Sequence, residues 1–290
     1  MKAILVSAPS EIAPSVLAQA KIELETALGK IATSGNEFVV NDTKWFQRMN
    51  RKATPTVMNS AKFITGAVAR NLEALGWKTE KKLHYQKIDG FKEFECEGGV
   101  TLTRDALRDV FLAKWDEGKR DEDPTLFADL HRKYFSRNCF VLDSGLENVS
   151  SKFSRHEDRI KIRIGFEFET GNIASSFRAL SKLDSLYKQE AIDVGVFVTS
   201  IDKGTTATRI WPVSNRNGSF QELKNRDYKR NVEIPLIEYG FRPDRIDSAA
   251  TYLAADGTTY APDCTGRIEE ISGQQFRVYK TPEGREVLLP

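Results

Sequence analysis

A strictly alternating run at residues 159–169 constrains the fold of this chain more than any other feature of its sequence. The run reads RIKIRIGFEFE, so apolar and polar side chains point to opposite sides of an extended strand. Phe166 and Phe168 share the side that faces a core, and Glu167 and Glu169 share the other side. The run therefore predicts a sheet with one buried face and two neighbouring acids on the opposite face.

The segments that follow this strand alternate between helical and extended patterns. Residues 173–186 carry apolar side chains at helical spacing, and residues 192–201 form a β-branched apolar run typical of a buried central strand. Ser219–Glu222 has the pattern of a capping box that opens a short helix. Residues 208–213 and 232–239 are further strand candidates. This order predicts an α/β fold with a mixed central sheet flanked by helices.

We expect three parts along the 290 residues. Residues 1–135 are predicted to be the mostly helical N-terminal part of the main domain, and residues 136–247 its catalytic core. Residues 248–290, which are punctuated by Gly, Thr and Pro, are predicted to be a small β-rich C-terminal appendage. Within the first part, residues 78–97 are predicted to form two short charged strands that reverse at the turn dipeptide Asp89-Gly90.

Charge and cysteine content exclude several classes of protein. The formal net charge is only +2, so the chain is not a polycation that binds nucleic acid through bulk charge. The three cysteines are far apart and show no zinc-ligand spacing, which is typical of a protein from a reducing compartment. No stretch is long and apolar enough for a signal peptide or a membrane span. We therefore expect a cytoplasmic protein with no membrane partner.

The pair Glu167 and Glu169 carries the most chemistry. Their carboxylates lie about 7 Å apart along the strand and repel each other. Hard oxygen ligands suit Mg²⁺, which can activate water and hold a phosphate. A solvated strand face is the plainer alternative. A third interpretation is a hydrolase that uses the two acids as general acid and base. Such a site should lie in a cleft lined by aromatic residues, and the acidic side of this strand offers none.

A resemblance to a known family favours the metal reading. The segment GFEFETGNIASSFRALSKL resembles the catalytic strand and following helix of BamHI-type restriction endonucleases, and less closely those of BglII. The similarity continues through EAIDVGVFV and NRNGSFQEL. It implies a restriction-endonuclease-like core and a homodimeric type II enzyme that uses Mg²⁺. Such an enzyme cleaves double-stranded DNA at a short palindromic site and leaves 5′-phosphates.

The resemblance also implies roles for the acids. Glu167 would bind the metal, and Glu169 would stand where related nucleases place a lysine, as a candidate general base. The family takes a further metal ligand from an aspartate on the preceding strand. Asp158 would lie about 30 Å from Glu167 along one continuous strand, so we predict Asp143, with Glu147 in reserve. A fourth acid on an upstream helix is assigned to Glu117.

Five residues are predicted to read DNA. Asn172, Ser175 and Arg178 follow the catalytic strand, and Asn215 and Arg216 match a second base-reading loop. The BamHI pattern has Asp-Arg at this loop, and this chain has Asn-Arg. An acid accepts a hydrogen bond from cytosine, whereas Asn favours adenine. We therefore expect a recognition site different from that of enzymes with the Asp-Arg pattern.

The resemblance further implies a cognate DNA methyltransferase in the same genome, without a stable complex between the two proteins. The alternative function is a catalytically inactive, nuclease-derived protein that binds a specific DNA sequence.

Overall fold

The computed structural model describes residues 1–9, 14–96, 160–201 and 218–290. The helices are α1 (Pro14–Gly29), α2 (Ala61–Glu73), α3 (Ile173–Lys188) and α4 (Phe220–Lys224). The strands of the first half are β1 (Lys2–Ser7), β2 (Val39–Val40), β3 (Trp45–Met49), β4 (Lys52–Thr56), β5 (Lys78–Leu83) and β6 (Gln86–Cys96). The remaining strands are β7 (Ile160–Glu169), β8 (Val194–Ser200), β9 (Leu236–Arg242), β10 (Arg245–Ile246), β11 (Tyr252–Leu253), β12 (Thr259–Tyr260), β13 (Asp263–Ile271), β14 (Gln274–Lys280) and β15 (Glu286–Leu289).

A six-stranded mixed sheet forms the centre of the protein. Its strand order is β1-β9-β8-β7-β6-β5. The neighbours β7, β8 and β9 run parallel, whereas β1, β6 and β5 are antiparallel to the strands they pair with. Parallel neighbours need a crossover connection, and α3 supplies it between β7 and β8. This arrangement confirms the predicted α/β fold with a mixed central sheet.

Helices cover both faces of this sheet. On one face, α1 and α2 pack against the apolar side of β7, where Phe166 and Phe168 are buried. On the other face, α3 and α4 pack around Phe197 of β8. The acidic side of β7 therefore faces α3, which begins only four residues after the strand ends.

Local sequence patterns predicted most elements of this core. The alternating run forms β7, the helical spacing forms α3, and the apolar run forms β8, all seven residues of which are buried. The predicted capping residue Ser219 opens α4, and its side chain accepts from the backbone N–H of Glu222. The strand expected at 232–239 begins later, at Leu236, because Pro235 and the residues before it belong to the preceding loop.

The predicted reversal at Asp89-Gly90 is wrong. The two strands exist, but the chain turns at His84-Tyr85, since Leu83 pairs with Gln86. His84 takes the left-handed backbone conformation there, with φ of 50°. Asp89 and Gly90 instead lie within β6, where Gly90 pairs with Phe166 of β7. A dipeptide that favours turns is here held in a strand by pairing on both sides.

A second sheet joins the two ends of the chain. Its order is β13-β14-β15-β3-β4, so the expected C-terminal appendage is β-rich but shares its sheet with residues 45–56. Trp45 on β3 packs edge-on against Tyr279 on β14, and Phe46 packs against Phe276. The expectation of a mostly helical N-terminal part is not met over its described residues, which hold six strands and two helices.

Among the described residues, no helix is both long enough and apolar enough to cross a membrane. The elements predicted within residues 97–159 and 202–217 lie outside the described residues.

Candidate active site

The site begins where β6 and β7 separate. Their antiparallel pairing runs from Cys96↔Ile160 to Gly90↔Phe166 and then stops. Beyond that point, a carboxylate oxygen of Asp89 accepts from the backbone N–H of Phe168 at 3.0 Å. The backbone N–H of Asp89 in turn faces the Glu167 carboxylate at 3.4 Å. The two carboxylates therefore take the place of the backbone hydrogen bonds that end there, and each faces a backbone N–H group of the other strand.

Glu167 is the more deeply buried of these acids, with only 2% of its surface exposed. Burial, together with the nearby charge of Asp89, raises the pKa of Glu167 from an ordinary 4.5 to about 8. Lys182 on α3 opposes that shift, because its ammonium lies 2.6 Å from the Glu167 carboxylate. The contact with Lys182 does not offset the combined effect of burial and of the Asp89 charge on the pKa of Glu167.

Glu169 lies at the end of β7 and is only partly buried. Burial raises its pKa and the charge of Asp89 adds to this, while the backbone N–H of Gly171 donates to the carboxylate and lowers the pKa. A Cβ at Gly171 would come within 3.1 Å of the Glu169 carboxylate and 2.8 Å of the Ser175 hydroxyl. Glycine is therefore needed for the chain to pass this closely between the acid and the start of α3.

Asp89 is the acid whose charge acts on both glutamates of β7. Burial raises the pKa of Asp89, and the hydrogen bond from Phe168 and the charge of Lys182 lower it. The charge of Asp89 appears among the causes that raise the pKa of both Glu167 and Glu169. Like-charged groups held this way point to a site that stabilises a cation.

Comparison with known proteins identifies the family of this chain. The family model described as "Restriction endonuclease BamHI" matches residues 1–241, which include Asp89, Glu167 and Glu169. This chain belongs to the BamHI restriction endonuclease family. No curated protein matches the sequence closely enough to add a relative. Family membership makes the chain a type II restriction endonuclease, a nuclease that binds double-stranded DNA. Residues 242–290, which contain β10–β15, lie beyond the matched region.

The predicted base-reading residues that the structure describes lie at the beginning of α3. Asn172 caps this helix, and its side chain accepts from the backbone N–H of Ser175 at 3.1 Å. The hydroxyl of Ser175 accepts from the exposed guanidinium of Arg178 at 3.1 Å. The amide oxygen of Asn172 is thus engaged in capping, while Arg178 presents its charge to solvent.

Gly218 is anchored beside this helix start. The carbonyl of Gly218 accepts from Ser176 and from Thr199, each at 3.0 Å. A Cβ at Gly218 would meet the backbone oxygens of Gly171 and Asn172 at 2.9 and 3.0 Å. The backbone at Gly218 is therefore in close contact with the start of α3.

Several predicted site residues lie outside the described residues, so the structure does not test them. These are Asp143 with its reserves Glu147 and Asp158, the upstream acid Glu117, and the loop residues Asn215 and Arg216.

The sequence analysis missed two residues that the structure brings to the site, Asp89 and Lys182. Asp89 was assigned to a turn, and the hydrogen bond from Phe168 that places it spans 79 positions in the chain. Lys182 lies within the segment that carries the resemblance but was given no role, although its ammonium contacts Glu167 at 2.6 Å. The available signal was the aspartate that the resemblance implied on a strand preceding the catalytic one, because β6 carries Asp89 and precedes β7.

The site suits a hard divalent cation by its chemistry. Over residues 1–9, 14–96, 160–201 and 218–290, no three His, Cys, Asp or Glu side chains are gathered around one point as metal ligands. The ammonium of Lys182 contacts Glu167 instead. Asp89 and Glu167 nevertheless offer carboxylate oxygens, the donor type that Mg²⁺ takes in proteins, and the partly buried Glu169 follows on the same strand.

Proposed function

We propose that this enzyme cleaves both strands of a short palindromic DNA site in a Mg²⁺-dependent reaction that leaves 5′-phosphates. The observation that carries the proposal is the pairing of Asp89 with the buried Glu167 at the point where β6 and β7 separate. Glu169 lies one strand repeat further on, towards solvent. In a member of this family, these are the groups that can hold a cation and manage the proton of an attacking water.

Each acid has its own task. Asp89 and Glu167 would hold the cation, because they are the two carboxylates fixed against each other's strands. When bound, Mg²⁺ would supply the positive charge that polarises the scissile phosphodiester and makes a water molecule more acidic. Glu169 would orient that water and accept its proton, since its carboxylate is less buried and its pKa is raised towards neutrality. The water oxygen would then bond to phosphorus as the bond to the 3′ oxygen breaks. The 3′ oxygen would take a proton from solvent and leave as a hydroxyl, and the phosphate would remain on the 5′ end.

Asp89 takes the role that the sequence analysis gave to Asp143. The family draws this ligand from the strand preceding the catalytic one, and β6 is the strand that pairs with β7. Asp143 remains an untested alternative because it lies outside the described residues. Glu117 stays a prediction for the fourth acid.

Base reading would come from the beginning of α3 and from the loop before Gly218. Arg178 is exposed and can reach a guanine edge, while Ser175 orients its guanidinium. Asn215 and Arg216 precede Gly218 by three and two residues in the chain, and Gly218 contacts the start of α3. Both groups of residues would then approach the same stretch of DNA.

A palindromic site matches a two-fold protein, so we propose a homodimer with one active site per strand. An active enzyme would also cut its host's genome, which calls for a cognate methyltransferase that protects the site without binding the endonuclease stably.

The test is digestion of plasmid and phage DNA by the purified protein with Mg²⁺ or with EDTA. We expect discrete fragments only with Mg²⁺, and sequencing of the fragment ends gives the site and the cut positions. Ligation of the fragments without prior phosphorylation checks for 5′-phosphates. A specific gel shift without cleavage under all metal conditions would contradict the proposal and favour the inactive DNA-binding protein.

A further inference from the structure

Lys182 occupies a position that the proposed mechanism does not yet use. It lies on α3, and its partly buried side chain crosses to the central sheet. Its ammonium contacts the Glu167 carboxylate at 2.6 Å and donates to the carbonyl of Lys87 at 2.9 Å. Lys87 belongs to β6, two residues before Asp89, so one ammonium links both strands that carry the acids.

The charge of Lys182 acts on the whole acid cluster. It influences Asp89, Glu167 and Glu169, whereas the influence of Arg178 is seen at Glu169 and that of Lys87 at Asp89. Lys87 is exposed and its own ammonium pairs with Glu80, away from Glu167. Among the described residues, Lys182 is therefore the cation whose charge acts on all three acids.

A counter-ion in this place competes with a divalent cation. Glu167 cannot present the same oxygen to an ammonium and to a cation at close range without bringing two positive charges together. Among the described residues, the ammonium contacts no carboxylate other than Glu167. Once displaced, it would need a new anion, and the phosphate of bound DNA can supply one.

We propose that Lys182 neutralises Glu167 until a divalent cation displaces it, and that its ammonium then binds the scissile phosphate. This inference rests on the proposed function, because it takes Glu167 as a ligand of the cation. It goes beyond that function by assigning a residue that controls when the cation enters the site.

The test is a Lys182→Met variant of the full chain, titrated with Ca²⁺ in the absence of DNA and followed by calorimetry. Ca²⁺ is the probe because it takes the same hard oxygen ligands. We expect Ca²⁺ to bind about tenfold more tightly than in the wild type, because its competitor is gone. Single-turnover DNA cleavage with Mg²⁺ should fall by about 100-fold or more, because the phosphate loses a positive partner. A residue that only supported the fold would weaken both properties.

Matched variants keep the result interpretable. Lys188→Met removes another lysine of α3, one that pairs with Asp184 and Glu233, and it should leave Ca²⁺ affinity and cleavage unchanged. Lys182→Arg keeps the positive charge and should bind Ca²⁺ no more tightly than the wild type. Lys182→Gln removes the charge but retains a donor, so it replaces the Met variant if that protein does not fold.

A Ca²⁺ affinity of the uncharged variant equal to or below that of the wild type would overturn the inference. The outcome is separable from that of the proposed function, because the titration contains no DNA. If the uncharged variant binds Ca²⁺ more tightly but neither it nor the wild type ever cuts DNA, the role of Lys182 as counter-ion of Glu167 is upheld and the proposed reaction is rejected. If the wild type cuts DNA with Mg²⁺ but the uncharged variant binds Ca²⁺ no more tightly, the proposed reaction is upheld and the role of Lys182 is rejected.

Discussion

Two buried glutamates on the same face of the central sheet differ sharply in their surroundings. Glu167 on β7 and Glu238 on β9 are 2% and 0% exposed, and the cross-strand register Glu167↔Phe197↔Glu238 places them on either side of one phenylalanine. The same residue type is therefore buried twice in one layer, between the sheet and the elements that cover it.

The Glu238 carboxylate is fully partnered by donors. The hydroxyls of Tyr228 and Ser7 both donate to it, and the ammonium of Lys229 lies 2.5 Å away. These contacts tie β9 to β1 and to the segment after α4. They also engage the half-exposed ammonium of Lys229.

The Glu167 carboxylate has a second acid, Asp89, where Glu238 has donors. Its contacts are one lysine and one long approach from a backbone N–H, and its pKa rises to about 8. The comparison teaches that burial of a carboxylate does not by itself identify a functional site. A buried carboxylate without enough donors does indicate such a site. Its burial costs free energy, and a folded chain retains that cost where a bound ligand offsets it.

The largest expected effect separates the two glutamates by activity. Glu167→Gln should reduce Mg²⁺-dependent cleavage by about 10⁴-fold, because the cation loses a charged ligand, while specific DNA binding is kept. Glu238→Gln should cleave at nearly the wild-type rate per folded molecule. Single-turnover assays with a gel-shift control measure both. Comparable losses in the two variants would break the comparison.

The second prediction concerns the acid that distinguishes the Glu167 environment. Asp89→Asn should lower cleavage by about 10³-fold with little change in fold, because its carboxylate and not its hydrogen bond from Phe168 serves the cation. Asp143→Asn should have a much smaller effect. The reverse ranking of these two variants would return the role to Asp143.

The third prediction concerns stability, for which the Glu238 variant should be affected more than the Glu167 variant. Glu238→Gln should lower the free energy of unfolding by about 2 kcal/mol, because three donors lose a buried anionic acceptor and half-exposed Lys229 regains water. Glu167→Gln should change it by less than about 1 kcal/mol at neutral pH, since repulsion from Asp89 disappears along with the Lys182 contact. Urea denaturation of the metal-free proteins provides both values, and a larger loss in the Glu167 variant would oppose the account.

The smallest effect is a pH dependence that belongs to Glu167. Its pKa is about 8 in the folded protein and near 4.5 when exposed, so the folded state binds more protons between these values. The free energy of unfolding of the metal-free wild type should therefore fall as pH rises from about 4.5 to about 8, on the order of 1 kcal/mol because neighbouring charges titrate too. Glu167→Gln should flatten this slope, and an equal slope in both proteins would contradict the assignment.

The sequence predicted the parts of the site that are local in the chain. Alternation at 159–169 identified both glutamates of β7, and helical spacing with an Asn cap identified α3. Each of these signals lies within one element, so no knowledge of distant pairing is required. The buried strand β8 was likewise evident from its continuous apolar run.

The remaining parts depend on pairing between distant segments. Asp89 meets β7 through a register that joins residues about 78 positions apart, and its dipeptide with Gly90 favours a turn when considered alone. Lys182 reaches Glu167 because of how α3 crosses the sheet, which spacing along the helix does not reveal. For the same reason, the pairing of β15 with β3 was not expected from either segment.

The most direct measurement is diffraction from crystals soaked in Mn²⁺, with the cation located by its anomalous signal. The account predicts one strong peak bound by carboxylate oxygens of Asp89 and Glu167, with the ammonium of Lys182 moved off Glu167. A peak that lacks Asp89, or a Lys182–Glu167 contact that persists beside a bound cation elsewhere, would contradict it.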